Sequence, residues 1–383
     1  MTTEKLYESD AYLRRFTATV LTCEPANGGF AVTLDRSAFY PEGGGQPGDG
    51  GTLGGVRVTD TRIADGAVTH FCDGPLPVGA AVVGEIDWEA RFDRMQQHSG
   101  EHIVSGLICA AAHCSNVGFH MGAETVVIDF DAPVTEAALE EIEEQANRVI
   151  WENRPFLVTY PTPEELETLE YRSKKALSGA VRIVECPGAD RCACCGTHVR
   201  SAGEIGLIRL IGVKPFRSGV RIELLAGGRA YRWSRAMTAQ NSRVSALLSA
   251  KPGETAAAVE RVKRELADTQ YRLVGLENRL FAETAERLAG QGDALLFTEP
   301  TDPDALRRFC AAVGARCGGR CAVFAGDDAR GWKYALNLPS SDLRAFVGAM
   351  NAALRGRGGG RDGLAQGSAA AKREEIERYF KGL

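Results

Sequence analysis

Residues 91–114 read RFDRMQQHSGEHIVSGLICAAAHC, and here the chain changes character. Upstream, residues 1–90 alternate apolar and polar side chains in short runs (FTATVLTC, FAVTLD, VRVTDTRI, AVTHFC, AAVVGEID), separated by NGG, GGG, DGG and ADG turns. That period of two with glycine punctuation predicts a small antiparallel barrel or sandwich. From Asp87 the apolar residues fall instead at helical spacing, and a strand-like TVVIDFD follows. An acidic amphipathic segment from Thr135 to Asn153 predicts a helix capped by Thr135. FLVTYP, VRIVECP, GLIRLIGV and VRIELLAG then predict further strands, so the block to about residue 246 is α+β.

Composition narrows the class. At 383 residues, 44% hydrophobic and 25% charged, the chain is that of a soluble globular protein of two or three domains. No apolar run approaches the roughly 18 residues of a membrane span, and the N-terminus lacks an apolar signal core, which predicts a cytoplasmic protein. The 11 cysteines are odd in number and clustered (Cys192, Cys194, Cys195; Cys310, Cys317, Cys321), as fits reduced thiols or metal ligands better than a disulfide framework.

The net charge of −5 argues against a generally basic coat, but Arg200 to Arg243 carries nine basic residues against Glu204 and Glu223. A second, weaker basic excess lies between Asn351 and Leu383. From Thr255 to Leu288, positions Val259, Val262, Leu266, Thr269, Leu273, Leu276 and Leu280 step by three and four, predicting a long helix with a coiled-coil seam or an apolar face laid on its own domain. Beyond Gly290, strand-like ALLFTEP, CAVFAGD and WKYALNLP alternate with helices expected at Pro303–Val313 and Asp342–Arg355, a small α/β domain closing in RGRGGGRDGLAQGSA.

The chemistry concentrates in two segments. His98 and His102 are four apart, which puts both rings on one helix face; Cys194 and His198 are also four apart, beside Cys192 and Cys195. Three of the chain's six histidines therefore join a nitrogen and sulfur donor set suited to tetrahedral zinc. Spacing leaves the choice of cysteine open, since Cys192 and Cys195 form a C-x-x-C pair. HSGEH also fits the H-x-x-E-H pattern of inverted zinc proteases, with Glu101 as base, although Gly100 weakens such a helix. His70 and His113 are read as ordinary core or surface residues, and Cys310, Cys317 and Cys321 as buried thiols.

FYPEGGGQPGD at 39–49, QHSGEH, GFHMG at 118–122 and CCGTHVRSAGEIG at 194–206 stand in the order found in the freestanding alanyl-tRNA editing proteins (AlaX) and the editing half of alanyl-tRNA synthetase, which residues 1–245 resemble. Through GGGRDGLAQGSA the C-terminal part is similar to the DHH-associated domain of that synthetase. No segment is read as its aminoacylation domain. The resemblance implies an α+β protein: a β-barrel with the glycine-rich motif (1–90), a zinc-binding editing domain (91–246), a helical coiled-coil linker (250–290) and a DHH-associated domain (291–383). It implies zinc on His98, His102, Cys194 and His198. Cys195 stands where the family's C-G-G-T-H has glycine, and so competes for the ligand role.

The resemblance further implies a pocket with Gly43, Gly44, Gly45 and Gln46 against the aminoacyl ester, Gln46 as its polar reader, and His120 as a further pocket residue. The implied activity is zinc-dependent deacylation of Ser-tRNA(Ala), with Gly-tRNA(Ala) a second candidate. The basic stripe at Arg200, Arg209, Lys214, Arg217 and Arg221 would meet the tRNA, and the helix or C-terminal domain would touch tRNA or form a homodimer. A tRNA-binding protein with structural zinc and the zinc protease are the alternatives.

Overall fold

A computed structural model describes residues 2–26, 28–173, 181–338 and 343–382. The chain divides into two compact units, Met1–Asn241 and Ser242–Leu383.

In the first unit, six strands, Arg15–Ala26, Gly29–Leu34, Gly51–Leu53, Val56–Ala64, Ala67–Cys72 and Ala81–Ile86 (β1 to β6), close into an antiparallel barrel of order β1-β2-β5-β4-β3-β6, with β6 pairing back onto β1. The inward residues of the alternating runs fill it: Ala18, Val20, Val32, Leu34, Leu53, Val58, Cys72 and Val82, with Phe16 and Phe39. His70 on β5 is enclosed here, its Nε2 2.7 Å from Ser37 Oγ and its Nδ1 3.0 Å from Val32 O.

Burial pushes His70 down to about 4, although the Val32 carbonyl favours its proton. A basic group held low in the folded state stabilises the fold above its unfolded pKa of about 6.5, and that contribution is lost as pH falls toward 4. Between pH 6.5 and 4 this residue alone should remove about 3 kcal/mol from the unfolding free energy. Urea titrations across that range should show a shallower pH slope for His70→Gln than for the wild type; equal slopes would refute the assignment.

Helix α1 (Trp88–Ala112) leaves the barrel at Asp87, whose carboxylate accepts from Ala90 N. It buries Met95, Ile103, Val104 and Ile108 in the unit's main core. Its glycines mark close packing. A Cβ on Gly100 would stand 2.8 Å from Ala226 Cβ, and one on Gly106 2.1 Å from Ala189 O. Gly100, expected to weaken the helix, has a packing reason: the missing side chain lets the strand that ends in Ala226 approach.

Strands Asn116–Met121 (β7) and Val126–Phe130 (β8) follow, then helix α2 (Glu136–Trp151), capped by Thr135 Oγ1 at 3.2 Å from Ala138 N. Leu157–Thr159 (β9), Ile183–Cys186 (β10) and Asp190–Ala193 (β11) form a three-stranded antiparallel sheet. Ile208–Phe216 (β12) and Gly219–Ala226 (β13) complete a four-stranded sheet of order β12-β13-β8-β7, and helix α3 (Gly227–Leu248) comes next.

Arg91 joins the barrel's glycine motif to α1. It is fully buried, its Nε 2.7 Å from Asp49 Oδ2 and a terminal nitrogen also on that oxygen. It donates further to Ala11 O at 2.9 Å and Ala38 O at 2.6 Å. Asp49 also accepts from Tyr40 N at 2.6 Å and Arg94 at 3.2 Å.

The second unit starts from helix α4 (Thr255–Arg287), which packs on helix α5 (Pro303–Cys317) through stacked Phe281 and Phe309, 4.6 Å between centroids, and an Arg308–Glu277 ion pair of 2.6 Å. Five strands, Gly292–Thr298, Gly318–Asp327, Gly331–Asn337, Leu364–Ala369 and Arg357–Arg361, form its sheet in that order. Cys310, Cys317 and Cys321 are buried free thiols, as expected. Helix α6 (Leu343–Ala353) covers the other predicted helix, whose expected first residue, Asp342, lies outside the described residues. Along α4 the seam positions Val259, Val262, Leu266, Leu273, Leu276 and Leu280 are 42–59% exposed. Among the described residues no helix is long and apolar enough to cross a membrane.

Candidate functional site

Helix α1 presents His98 and His102 one turn apart, and the loop leaving β11 brings Cys194 and His198 to them. The four potential donor atoms all lie within 4.8 Å of one another. Cys194 Sγ is 3.4 Å from Nε2 of His98 and 3.4 Å from Nε2 of His198. Tetrahedral zinc with bonds of about 2.1 Å to nitrogen and 2.3 Å to sulfur spaces such donors about 3.5 Å apart, so the arrangement fits that ion.

Each ring is held from behind. His98 Nδ1 lies 2.8 Å from Gln46 Oε1, an oxygen that also accepts from Thr197 N at 3.2 Å while Gln46 Nε2 donates to Thr197 Oγ1 at 2.9 Å. His102 Nδ1 lies 2.8 Å from Asp190 Oδ2, and His198 Nδ1 3.2 Å from Ser99 Oγ. An acceptor on Nδ1 of His98 and His102 fixes the proton there and turns the Nε2 lone pair inward, the role of an outer partner at a metal site. Asp190 is itself clamped by Arg172 at 2.6 and 2.9 Å.

Burial opposes ionisation of Cys194, but the three adjacent rings hold its thiol well below the usual range. Burial, then the neighbouring His98 and His102, push His198 down. Burial also pulls on His102, yet Cys194 and Asp190 outweigh it and raise the ring to about 9. Metal binding to such a donor set requires deprotonated ligands, which makes it pH-dependent. Asp190→Asn should weaken zinc affinity on the order of 10–100-fold with the fold intact; a competition titration with a chelator measures this, and an unchanged affinity would show the carboxylate to be incidental.

His98, His102 and Cys194 of the cluster line a cavity of about 650 Å³, whose walls include Tyr40, the turn Gly43–Gly45, Val117, Phe119 and Cys195. Gly43 and Gln46 exchange backbone hydrogen bonds of 3.0 Å around Gly44 and Gly45, at φ +60° and +86°. Both central residues at positive φ make a tight hairpin turn of the I′ kind, which glycine adopts without strain. Gly45 O accepts from Met121 N at 3.1 Å, and a Cβ there would stand 2.5 Å from the Phe119 ring. Phe119 stacks on His98 at 5.2 Å. Gly196 is equally constrained: its Cβ would meet His98 Cε1 at 2.1 Å.

Comparison with known proteins bears on this arrangement. Residues 181–223, which contain Cys194 and His198, match the family model described as "Threonyl and Alanyl tRNA synthetase second additional domain", and residues 13–90 match "tRNA synthetases class II (A)". Alanyl-tRNA editing protein Aarsd1-B of Xenopus laevis is 30% identical over 97% of this chain and 95% of its own length. The chain belongs to the alanyl-tRNA editing protein family. Aarsd1 of Rattus norvegicus is 28% identical over 98% of this chain and 97% of the relative. AlaX-L of Pyrococcus horikoshii is 28% identical over 97% and 96%. The second model match falls on the barrel.

Within this member of the alanyl-tRNA editing family, several expected residues sit elsewhere than the cavity wall. Gln46 is fully buried with both ends of its amide engaged, so it orients His98 rather than reading a ligand. His120 is exposed; its neighbour Phe119 faces the cavity, and successive strand side chains point to opposite faces. Glu101, the base of the protease alternative, is buried and accepts from Ser105 Oγ and Asn116 Nδ2 at 2.8 Å each. Cys192 is buried beside His102 and Asp190, and Cys195 lines the cavity, which leaves Cys194 with the three histidines.

The basic stripe is largely neutralised by acids from distant parts of the chain. Arg200 faces Asp10 at 3.4 Å, Arg209 faces Glu143 at 3.2 Å, and Arg221 grips Asp129 at 2.7 and 2.9 Å. Lys214 pairs with Glu223 at 2.8 Å, while Arg217 lies over the Phe216 ring at 5.1 Å. One residue escapes the sequence reading altogether: Arg182, which donates to Cys194 O at 2.7 Å and Gly196 O at 3.0 Å and so shapes the ligand loop.

Proposed function

We propose that the protein hydrolyses, in trans and in the cytoplasm, the ester of serine mischarged onto tRNA(Ala), with zinc held by His98, His102, Cys194 and His198. The observation that carries this reading is a four-donor cluster, braced from behind, three of whose residues line a cavity large enough for an aminoacyl group. The relatives' name supplies the substrate class.

Serine is larger than alanine, so the cavity cannot act as a size sieve and has to read polarity: groups that pair with the seryl hydroxyl are left unpaired by alanine. With Gln46 engaged, that reading falls to the glycine turn. Gly44 and Gly45 amides have no backbone acceptor among the described residues and border the cavity. Phe119 and Val117 add an apolar wall that holds the acyl carbon chain. Zinc, when bound, supplies fixed positive charge at the floor; four protein donors fill its tetrahedral shell and favour a positioning role.

Deacylation of Ser-, Gly- and Ala-tRNA(Ala) by the zinc-loaded protein tests the proposal. Serine should be released far faster than alanine, with glycine the informative intermediate case. Retention of serine on the tRNA would refute the reading. The exposed seam of α4 completes the proposal as a homodimer contact, because apolar residues at heptad spacing that stand 42–59% exposed suit a second copy of the same helix. Leu266→Glu with Leu273→Glu should halve the mass in light scattering, and an unchanged mass would place the contact elsewhere.

A further inference from the structure

Resting on the tRNA-editing reading, we infer that the RNA backbone is held by one exposed face of α3, formed by Tyr231, Arg232 and Arg235, rather than by the hairpin β12–β13. Two observations carry this. The hairpin and its flanks offer Arg200, Arg209, Lys214 and Arg221, each within 4 Å of a carboxylate of its own chain, which leaves Arg217, over the Phe216 ring, as the hairpin's one cation without a carboxylate partner among the described residues. Arg229, at the start of α3, is likewise bound by Asp93 at 2.7 Å. A cation already paired adds little net attraction for a phosphate, because the neighbouring carboxylate offsets its positive field.

On α3 the situation is reversed. No Asp or Glu occurs between Glu223 and Glu254, so the helix brings no acid of its own. Arg232 and Arg235 are exposed, and among the described residues neither has a carboxylate partner. Arg235 stands three residues from Arg232 and four from Tyr231, which places all three on one face. Tyr231, 61% exposed, offers that face a ring for stacking. In a chain of net charge −5, an acid-free stretch with unpaired guanidinium groups is a local positive field that suits a polyanion.

Filter binding of an unacylated tRNA(Ala) transcript over a salt series tests the surface. Arg232→Glu with Arg235→Glu should raise Kd at least about tenfold and flatten the log–log salt slope by about two, one for each lost phosphate contact. Arg232→Lys with Arg235→Lys should stay close to wild type, since a lysine keeps the charge that a phosphate meets. Arg221→Gln should change Kd little, because it removes a cation already engaged by Asp129.

An unchanged Kd and slope in the charge-reversed protein overturns the inference, as does a larger loss from Arg221→Gln. Binding to phosphatidylserine vesicles that the reversal abolishes, with RNA affinity unaltered, would assign the face to lipid and overturn it equally. Hydrolysis of seryl-adenosine ester separates this surface from the cavity. The reversed variant should cleave that small ester at the wild-type rate; if neither protein cleaves it, the editing reading fails, while the RNA titration still decides the surface.

Discussion

Cys194→Ala is expected to purify with less than about a tenth of the wild-type zinc and to lose deacylation in step with the metal. The thiolate is the only anionic donor of the four, and its depressed pKa comes from the three rings around it. Without it, His98, His102 and His198 are three neutral buried ligands with no charge to offset a dication. Measuring zinc by mass spectrometry and serine release on the same preparation separates the outcomes. Zinc lost with activity kept would make the ion dispensable for turnover. Zinc kept would mean that Cys195 or Cys192 moves in, and Cys194→Ala combined with Cys195→Ser and Cys192→Ser would then have to remove it.

Arg91→Ala should cost about 3–5 kcal/mol of stability, the usual consequence of removing one partner of a fully buried ion pair. The guanidinium satisfies two backbone carbonyls as well as Asp49, so truncation leaves Ala11 O, Ala38 O and a buried carboxylate without their main donor. Denaturant titration reads the loss directly. Arg94→Ala, which removes only a 3.2 Å contact from a partly exposed side chain, should cost much less. Equal losses at the two positions would mean that the carboxylate alone matters, whichever arginine it faces.

The metal set is legible in the sequence because its clues are local. Two pairs spaced by four, which take three of the chain's six histidines and one cysteine, need no knowledge of the fold. The glycine turn is legible for the same reason. What escapes depends on separation along the chain. Gln46 meets His98 across 52 positions, and nothing near Gln46 says that its amide faces inward. The basic stripe looks stronger in the sequence than it is, because Asp10 and Asp129 lie far from the arginines they neutralise. The motif around His120 suggests a pocket residue, although the pleat turns it away once Phe119 faces in. Helix α3 gives little warning, since GGRAYRWSRAMTAQNSRVSALL lacks a continuous apolar stripe and opens on two glycines.

Gln46 closes the glycine turn with its backbone and steadies the His98 ring with its side chain. One residue is thus shared by the rim and the base of the cavity, and neither can be remodelled alone. A change that reshapes the turn tilts His98, and a change that frees His98 loosens the turn. Attempts to widen the acyl specificity of this protein therefore have better prospects at Val117 or Cys195, which border the space without bracing the ion.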